Sequence, residues 1–515
     1  MLKKLISGIL IAVLAVTALA GCTKTADKGD DSVFKYTLTV GSNDLTKGDY
    51  HKYIVDKFGI DFEFVPLTGD AGDKMRIWIL SGDMPDIMDG GSLQMHGYRS
   101  FARQGSFKEI PDLSACPNIS NLMKNTDGYE NFYVDGKLYA LPRDNDEQSL
   151  NYLNPCQFIY RKDWAKKVGL YNENDEYTWE EFLEMGKRFK EQDPGGNGKT
   201  IPIALENWAF PMAVGLTQKS IYWEMYYEKD GKYVWGPGQK EAVEGLKEVK
   251  DIYDSGILWD DQILARYGDG AAKFDAGESG IVFNSYSVPM LHVLQNNFEK
   301  ANPNVKIEDA VAPMYVKCPD NDMLWIPQDL TYAGFTVFSP SISDEKMNRL
   351  LEFWDWTLTE EGYDYSTLGI KDKDWKDING EKEILWSKDE NGDFEWPYGD
   401  QELRVIDLPK WTNSFILENP RFTKWSRDTF RGMIDRHMKD DVIIKKQNYD
   451  IIAFSAQTFD KYGTYQKEVE DKMKEIIVSS KDSAELETQY KAYIESMQSK
   501  ITPILDEINA GIKSK

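Results

Sequence analysis

The feature that most constrains this chain is an alternation of short strands and amphipathic helices near its start. Tyr36-Thr-Leu-Thr-Val40 reads as a strand running into the turn-forming Gly-Ser-Asn-Asp44. From Asp49 to Phe58, aromatic and apolar residues recur at helical spacing (Tyr50, Tyr53, Ile54, Phe58), and Gly59 stops the pattern. Ile60-Asp-Phe-Glu-Phe-Val65 alternates as a second strand, Asp73 to Leu80 is helical, and residues 81–88 pass from a turn into a buried strand. Strand, helix and strand in this order predict parallel βαβ units and an α/β lobe.

The alternation continues downstream. Arg161 opens an amphipathic segment that ends at Gly169, and Thr178-Trp-Glu-Glu181 has the form of a capping box starting a helix to about Gln192. Long amphipathic helices are expected over 239–253 and 345–358, and 469–512 is charged and strongly helical. No repeat of 20 to 50 residues is visible, and no Pro/Ser-rich linker separates independent domains. A chain of 515 residues exceeds the usual size of one core. Two lobes, joined by a chain that crosses between them several times, fit both facts.

The N-terminus gives an address. Met1-Leu-Lys-Lys is basic, and the apolar run Ile9–Ala20 is shorter than the ~20 residues a spanning helix needs. It has the form of a secretory signal, and Leu19-Ala20-Gly21-Cys22 resembles the lipobox of bacterial lipoproteins, in which the cysteine carries the lipid. Residues 1–22 are read as signal peptide with lipobox, 23–35 as a flexible tether, and the chain as anchored through lipid to the extracytoplasmic face of the cell membrane. A net charge of −25 makes nucleic acid a poor partner and signals solubility. Cys116, Cys156 and Cys318 remain after Cys22, an odd number without metal-ligand spacing, so at most one disulfide forms and the pair stays open. The four histidines are scattered, and zinc is not expected.

"LSGDMPDIM" at 80–88, "DGKLYALPR" at 135–143 and "IYRKDWAKKVGL" at 159–170 resemble the extracellular solute-binding proteins of bacterial ABC importers. "YTWEEFLEMGKRFKEQDPGGNGK" at 177–199, "GESGIVFNSY" at 277–286 and "FWDWTLTEEGYDY" at 353–365 continue the likeness in family order. The group includes maltose-binding protein and the large oligosaccharide-binding lipoproteins of Gram-positive bacteria. The resemblance implies an α/β, two-lobed, periplasmic-binding-protein-like fold: mixed sheets flanked by helices, with an interlobe cleft. By this analogy the first lobe takes 36–145 and 332–400, and the second takes 155–312 and 410–515. Crossovers fall near 143–156, 313–331 and 400–410. It also implies an oligosaccharide ligand, ABC permease subunits as partners, a monomer, and no chemistry.

The residues alone are compatible with binding. Glycoside hydrolysis needs two carboxylates about 5–10 Å apart, but 86 acidic residues make some such pair inevitable. No nucleophile elbow, Walker loop or dinucleotide fingerprint is present. A sugar asks instead for aromatic rings against its C–H faces and for Asp, Glu, Asn or Arg at its hydroxyl rim. Trp164, Trp179, Trp354 and Trp356 lie in helix patterns and read as packing residues. Trp208 follows the strand-like "IPIALEN" at a strand exit, where ligands collect in open α/β sheets, with Phe210 close behind. Asn284 and Tyr286 follow the strand "GIVF" where the family has a stacking aromatic. In the first lobe the candidates are Asn43 and Asp44 after the first strand, beside Ser42, then Asp89 after "PDIM", and Arg143 and Asp144 at the first crossover. Asp86 reads as structural. Trp325 and Tyr332 flank the second crossover, and Trp411 the third.

Relatives often carry a calcium loop at the position of "DPGGNGK" (193–199). Calcium takes roughly six to eight oxygens. This chain offers only Asp193 and Asn197, with Gly195 in place of a ligand and Thr200-Ile201-Pro202 where acids are needed. A degenerate site and no cofactor are expected. "DENGD" at 389–393 reads as a hairpin turn. The expected function is capture of an oligosaccharide for import; a surface-anchored glycan-degrading enzyme and a binder of peptides or another polar solute are the alternatives.

Overall fold

The computed structural model describes residues 33–40, 46–67, 71–125, 127–144, 156–196, 198–206, 225–319, 321–327, 331–388, 394–398, 417–445, 448–463 and 465–512. Its first part repeats the expected alternation: β1 (Phe34–Val40), α1 (Asp49–Phe58), β2 (Ile60–Pro66), α2 (Ala71–Ser81), β3 (Ile87–Asp89) and α3 (Gln94–Arg103). Gly59 closes α1 at φ 66°, the left-handed conformation that favours glycine. β1 pairs in parallel with β2 and β3. β4 (Ala140–Asp144) completes the sheet at its far edge.

The chain then builds a second sheet from β5 (Cys156–Arg161), β6 (Glu176–Tyr177), α4 (Trp179–Gln192), β7 (Ile201–Leu205), α5 (Lys240–Ser255), α6 (Asp269–Asp275), β8 (Ser279–Ser285), α7 (Val288–Ala301) and β9 (Val311–Val316). Its strand order is β6-β9-β5-β8-β7. The capping box of α4 forms in both directions: Glu181 N–H donates to Thr178 Oγ1 (3.2 Å), and Thr178 N–H to Glu181 Oε2 (2.8 Å). β10 (Leu324–Pro327) leads back to the first sheet, where β11 (Tyr332–Phe338) inserts antiparallel between β3 and β4, giving the order β2-β1-β3-β11-β4. Helices α8 (Asp344–Thr357) and α9 (Glu360–Leu368) follow. After α10 (Lys424–His437), β12 (Val442–Lys445) pairs in parallel with β10. The chain ends in α11 (Gln457–Tyr462), α12 (Gln466–Ser479) and α13 (Ser483–Gly511), so the helical tail is broken between Ser479 and Ser483.

Each sheet has its own core. In the first, Tyr36, Phe62, Ile87, Val337 and Trp354 share one buried cluster. In the second, the two-residue period of β5 sends Phe158 and Tyr160 to one cluster and Ile159 to another, while β8 divides Ile281 and Phe283 from Val282. Both faces of that sheet are therefore covered, as expected for strands that read as continuous apolar runs. Trp164, Trp179 and Trp354 are buried as packing residues. Residues 448–462, which a boundary at 410 would assign to the second lobe, touch both cores: Ala453 joins the first and Phe459 the second, with the Phe459 ring 5.4 Å from His96 on α3.

Asp86 shows how the first sheet is tied. Its Oδ2 accepts from Thr37 N–H (3.0 Å) and from the Lys346 ammonium of α8 (3.1 Å), while Asp86 N–H donates to Thr37 Oγ1 (2.8 Å). Replacing Asp86 by Ala leaves an inter-strand donor and a lysine unmatched. Chemical denaturation should show Asp86→Ala destabilised by about 1–3 kcal/mol, and Asp86→Asn by less.

Candidate functional site

Pairing register shows which way the two sheets face. β1, β2 and β3 run parallel, with Val40 opposite Pro66 and Asp89 at the same level. β4 ends at Asp144 opposite Tyr332, where β11 begins. The carboxyl ends of four strands therefore share the edge from which the chain leaves the first sheet. In the second sheet, β5 starts at Cys156 opposite Ser285, the end of β8, and β7 ends at Leu205 opposite Phe283. β9 also ends at this edge, antiparallel to β5. Residues 145–155 and 317–331 join the two edges, so strand ends from both sheets converge on the crossovers. That is where open α/β sheets gather ligand.

The roots of the crossovers are fixed by buried polar groups. Arg436 forks onto Asp441 (2.8 Å to each carboxylate oxygen) and also donates to Glu176 (2.8 Å), with Lys317 3.5 Å from Glu176. Next to it, His437 Nε2 lies 2.9 Å from Gln157 Oε1, and Gln157 donates to the Met314 carbonyl. Burial lowers the His437 pKa to about 3, so the imidazole is neutral.

The expected ligand residues separate into groups. Asn284 and Tyr286 come together at the end of β8, in a niche of about 250 Å³ between α6 and α7 that Val282, Asp275, Met290 and Leu294 also line. The niche is smaller than the roughly 300–1,000 Å³ of small-molecule sites, and it is not the ligand site by itself. Tyr286 is only 4% exposed and belongs to the core, so its ring is a packed ring rather than an open stacking face. The cause is the strand-to-helix turn, which aims it at the sheet face that α7 covers. Tyr332 is likewise buried, against Phe132 (4.9 Å) and Tyr449 (6.3 Å). Asp89 Oδ1 accepts from Gly91 N–H (2.9 Å) and so orders its own turn. Trp325 is half-buried on β10, and its indole N–H has no partner among the described residues. Arg143 and Asp144 end β4, paired with Gly334 and Tyr332, but their side chains lie outside the described residues. Asn43, Asp44, Trp208, Phe210, Trp411 and Cys22 also lie outside them, as do Ser42 and the 389–393 turn.

Sequence reading missed Glu206. This carboxylate is 1% exposed and accepts from the N–H groups of Gly268 (2.8 Å) and Ala271 (2.7 Å), so it caps α6 from the end of β7. Gly270 permits the approach, since a Cβ there would lie 2.6 Å from the Leu205 carbonyl. Gln262 fixes the same strand end, its amide bonded to Leu205 N–H and C=O (2.8 Å each). The one signal available was an acidic residue directly after an apolar strand.

In the 193–199 loop, Asp193 accepts from Gly198 N–H (2.8 Å) and Thr200 Oγ1 (2.5 Å), so its carboxylate orders the loop itself. Asn197 lies outside the described residues, and among those described no group of three His, Cys, Asp or Glu side chains could hold a metal. Cys318 is buried, and Cys116 is a buried free thiol that burial lifts to about 11. The side chain of Cys156 is outside the described residues.

Burial raises the Asp275 carboxyl to about 6, opposed by the hydrogen bond from Asn297 (2.9 Å) and reinforced by the charge of Glu206. Between pH 4 and 6 the folded chain holds this proton more firmly than the unfolded chain does, so stability contributed at acidic pH is lost as pH rises. Thermal unfolding across that range should show Asp275→Asn matching the parent near pH 4 and exceeding it at pH 7, by about 1–3 kcal/mol.

The family model of the bacterial extracellular solute-binding proteins matches residues 42–363, well over half of the chain. Lipoprotein LipO of Bacillus subtilis (strain 168) is 26% identical over 392 residues, covering 70% of this chain and 72% of LipO. The fructooligosaccharide ABC transporter substrate-binding protein FusA of Streptococcus pneumoniae serotype 4 is 23% identical over 307 residues, 53% of this chain and 56% of FusA. Its structure in complex with kestose matches with a TM-score of 0.61 at 14% identity, over 93% of this chain and 98% of that one. An extracellular solute-binding protein from Bifidobacterium longum subsp. infantis matches with a TM-score of 0.65 at 17% identity, over 92% and 96%. Among the described residues no helix is long and apolar enough to cross a membrane, and the family implies an extracytoplasmic place of work. Two α/β sheets with strand ends meeting at shared crossovers, in a chain matched by this model, establish the assignment: the chain belongs to the bacterial extracellular solute-binding proteins and is a binder rather than an enzyme.

Proposed function

We propose that this chain is the substrate-binding component of an ABC importer, held to the membrane by lipid on Cys22, and that it captures an oligosaccharide between its two lobes as a monomer. The observation that carries the reading is the convergence of strand ends from both sheets on the crossovers, with the half-buried Trp325 on one of them. An aromatic face at such a position covers the apolar side of a sugar ring, while polar strand-end groups serve its hydroxyls. Trp208, Phe210 and Trp411 are proposed as further stacking residues, with Asn43, Asp44, Asp89, Arg143, Asp144 and Asn284 at the hydroxyl rim. Support comes from FusA, whose name gives fructooligosaccharide as its substrate and whose structure holds kestose. The lipid anchor is supported by the lipobox-like Leu19–Cys22 and by the name of LipO.

Capture follows from geometry. Ligand contacts made by both edges exist together only when the lobes are close, so ligand shifts the population toward the closed state. The permease then has a closed, loaded form to recognise. No cofactor is needed for these steps.

Thermal unfolding against a panel of fructo-, malto-, chito- and milk oligosaccharides tests the reading. A true ligand stabilises by RT ln(1 + [L]/Kd), about 2.7 kcal/mol at a hundredfold excess over Kd. One glycan class should shift the transition and be recovered intact. A shift with peptides alone would keep the fold and remove the sugar, and glycan turnover would remove the binder. Trp325→Ala should weaken the responding glycan about tenfold, and because the ring is half-buried it should also lower the unliganded transition. Cys22→Ala should move the chain from the membrane fraction to the medium.

A further inference from the structure

A second cavity, of about 400 Å³, opens in the first lobe between α1, the start of α9 and the hairpin of Trp375–Ile378 with Glu381–Ile384. None of its lining residues belongs to the crossover edges described above. Its volume falls within the range of small-molecule sites, where the niche beside Tyr286 does not.

The walls combine aromatic and charged groups. Tyr53 and Tyr365 stack at 4.7 Å, and the Trp375 indole N–H donates to the Gly369 carbonyl (3.2 Å), which holds that ring in place. Lys382 donates to Glu360 (3.0 Å) and to the buried Asp364 (2.6 Å), and Glu361 pairs with Lys57. Lys371 is exposed at the rim, its ammonium 5.4 Å from the centre of the Trp375 ring, and makes no hydrogen bond or ion pair among the described residues. Four carboxylates (Glu360, Glu361, Asp364 and Asp377) thus face three ammonium groups (Lys57, Lys371 and Lys382). The charges nearly cancel, so nothing here selects an anion, and little selects a cation. Trp375 and Tyr365 are buried beneath the wall, and the half-buried Tyr53 ring stacked on Tyr365 is its aromatic surface. What remains is a set of fixed donors and acceptors beside that one ring, which suits a neutral ring with hydroxyls on its rim and C–H groups on its faces.

We propose that this cavity is a second sugar-binding site, separate from the interlobe cleft, and that it takes a neutral sugar unit. The choice of sugar as ligand class rests on the oligosaccharide reading of the cleft. Two sugar sites on one chain raise the effective concentration of a long glycan at the cleft once either site holds it.

The two sites have separate reporters. In full-length chain labelled with 15N-tryptophan, the indole signal of Trp375 reports the first-lobe cavity and that of Trp325 reports the crossover. Kestose, maltose, lactose and chitobiose serve as probes. The proposal expects a saturable Trp375 shift with at least one probe, weakened about tenfold by Lys371→Ala, with the Trp325 response unchanged. Lys371 is exposed, and the dispersion of the other indole signals shows whether the variant is folded. A Trp325 response without a Trp375 response overturns the second site and leaves the cleft reading standing. A Trp375 response indifferent to Lys371→Ala also overturns it, and silence of both reporters with every probe removes both readings.

Discussion

The parallel pairing of β10 with β12 is the constraint on which the two-lobed arrangement depends. Leu324 to Pro327 lie in register with Val442 to Lys445, so two strands that leave the second lobe travel side by side. Their roots are held by Arg436, buried to 6% exposure, with its guanidinium bonded to Asp441 and Glu176. The Arg436 fork holds the Asp441 carboxyl below its usual range. Removing one partner of a buried, hydrogen-bonded ion pair costs about 3–5 kcal/mol, because the other charge is left uncompensated. Asp441 is partly exposed, which reduces that figure here. His437, Gln157 and Met314 extend the same clamp to the strands on either side of the first two crossovers.

A clamp of this kind fixes where bending occurs. Each lobe is stiff because its sheet is packed against its own helices, and the crossovers are the narrow connections between them. Other contacts add to the junction. Thr331 N–H donates to Tyr449 Oη (3.1 Å) and Thr331 Oγ1 to the Asp127 carbonyl (2.5 Å). Asn419 donates to Tyr363 Oη (3.0 Å) close to the start of α10. Polar contacts at a junction break and re-form at smaller net cost than an apolar core, since water replaces the lost partners. Apolar contacts cross the junction as well, since Ala453 joins the first core while Ile451 and Phe459 join the second.

Much of this architecture was legible in the sequence. Local patterns gave α1 over Asp49–Phe58 and the capping box of α4, because periodicity and cap chemistry act within a few residues. The break between Ser479 and Ser483 was not foreseen, since no glycine or proline marks it. The double allegiance of 448–462 was also hidden, because it depends on contacts with α3 and Gly128 that are distant in sequence. The site was less legible. Motif position brought Asn284 and Tyr286 to a strand end, but not the direction of the Tyr286 ring, which packing decides. Glu206 was one acid among 86, and only the fold shows that it caps α6.

The central claim is that ligand is held between two lobes that close on it about the β10–β12 pair. Its most direct test is the distance between spin labels placed on exposed Lys137 of the first lobe and Lys240 of the second, measured with and without the glycan that stabilises the chain. The account predicts a distribution that shortens and narrows when the glycan is added. A distribution that stays the same while the glycan is bound would contradict it.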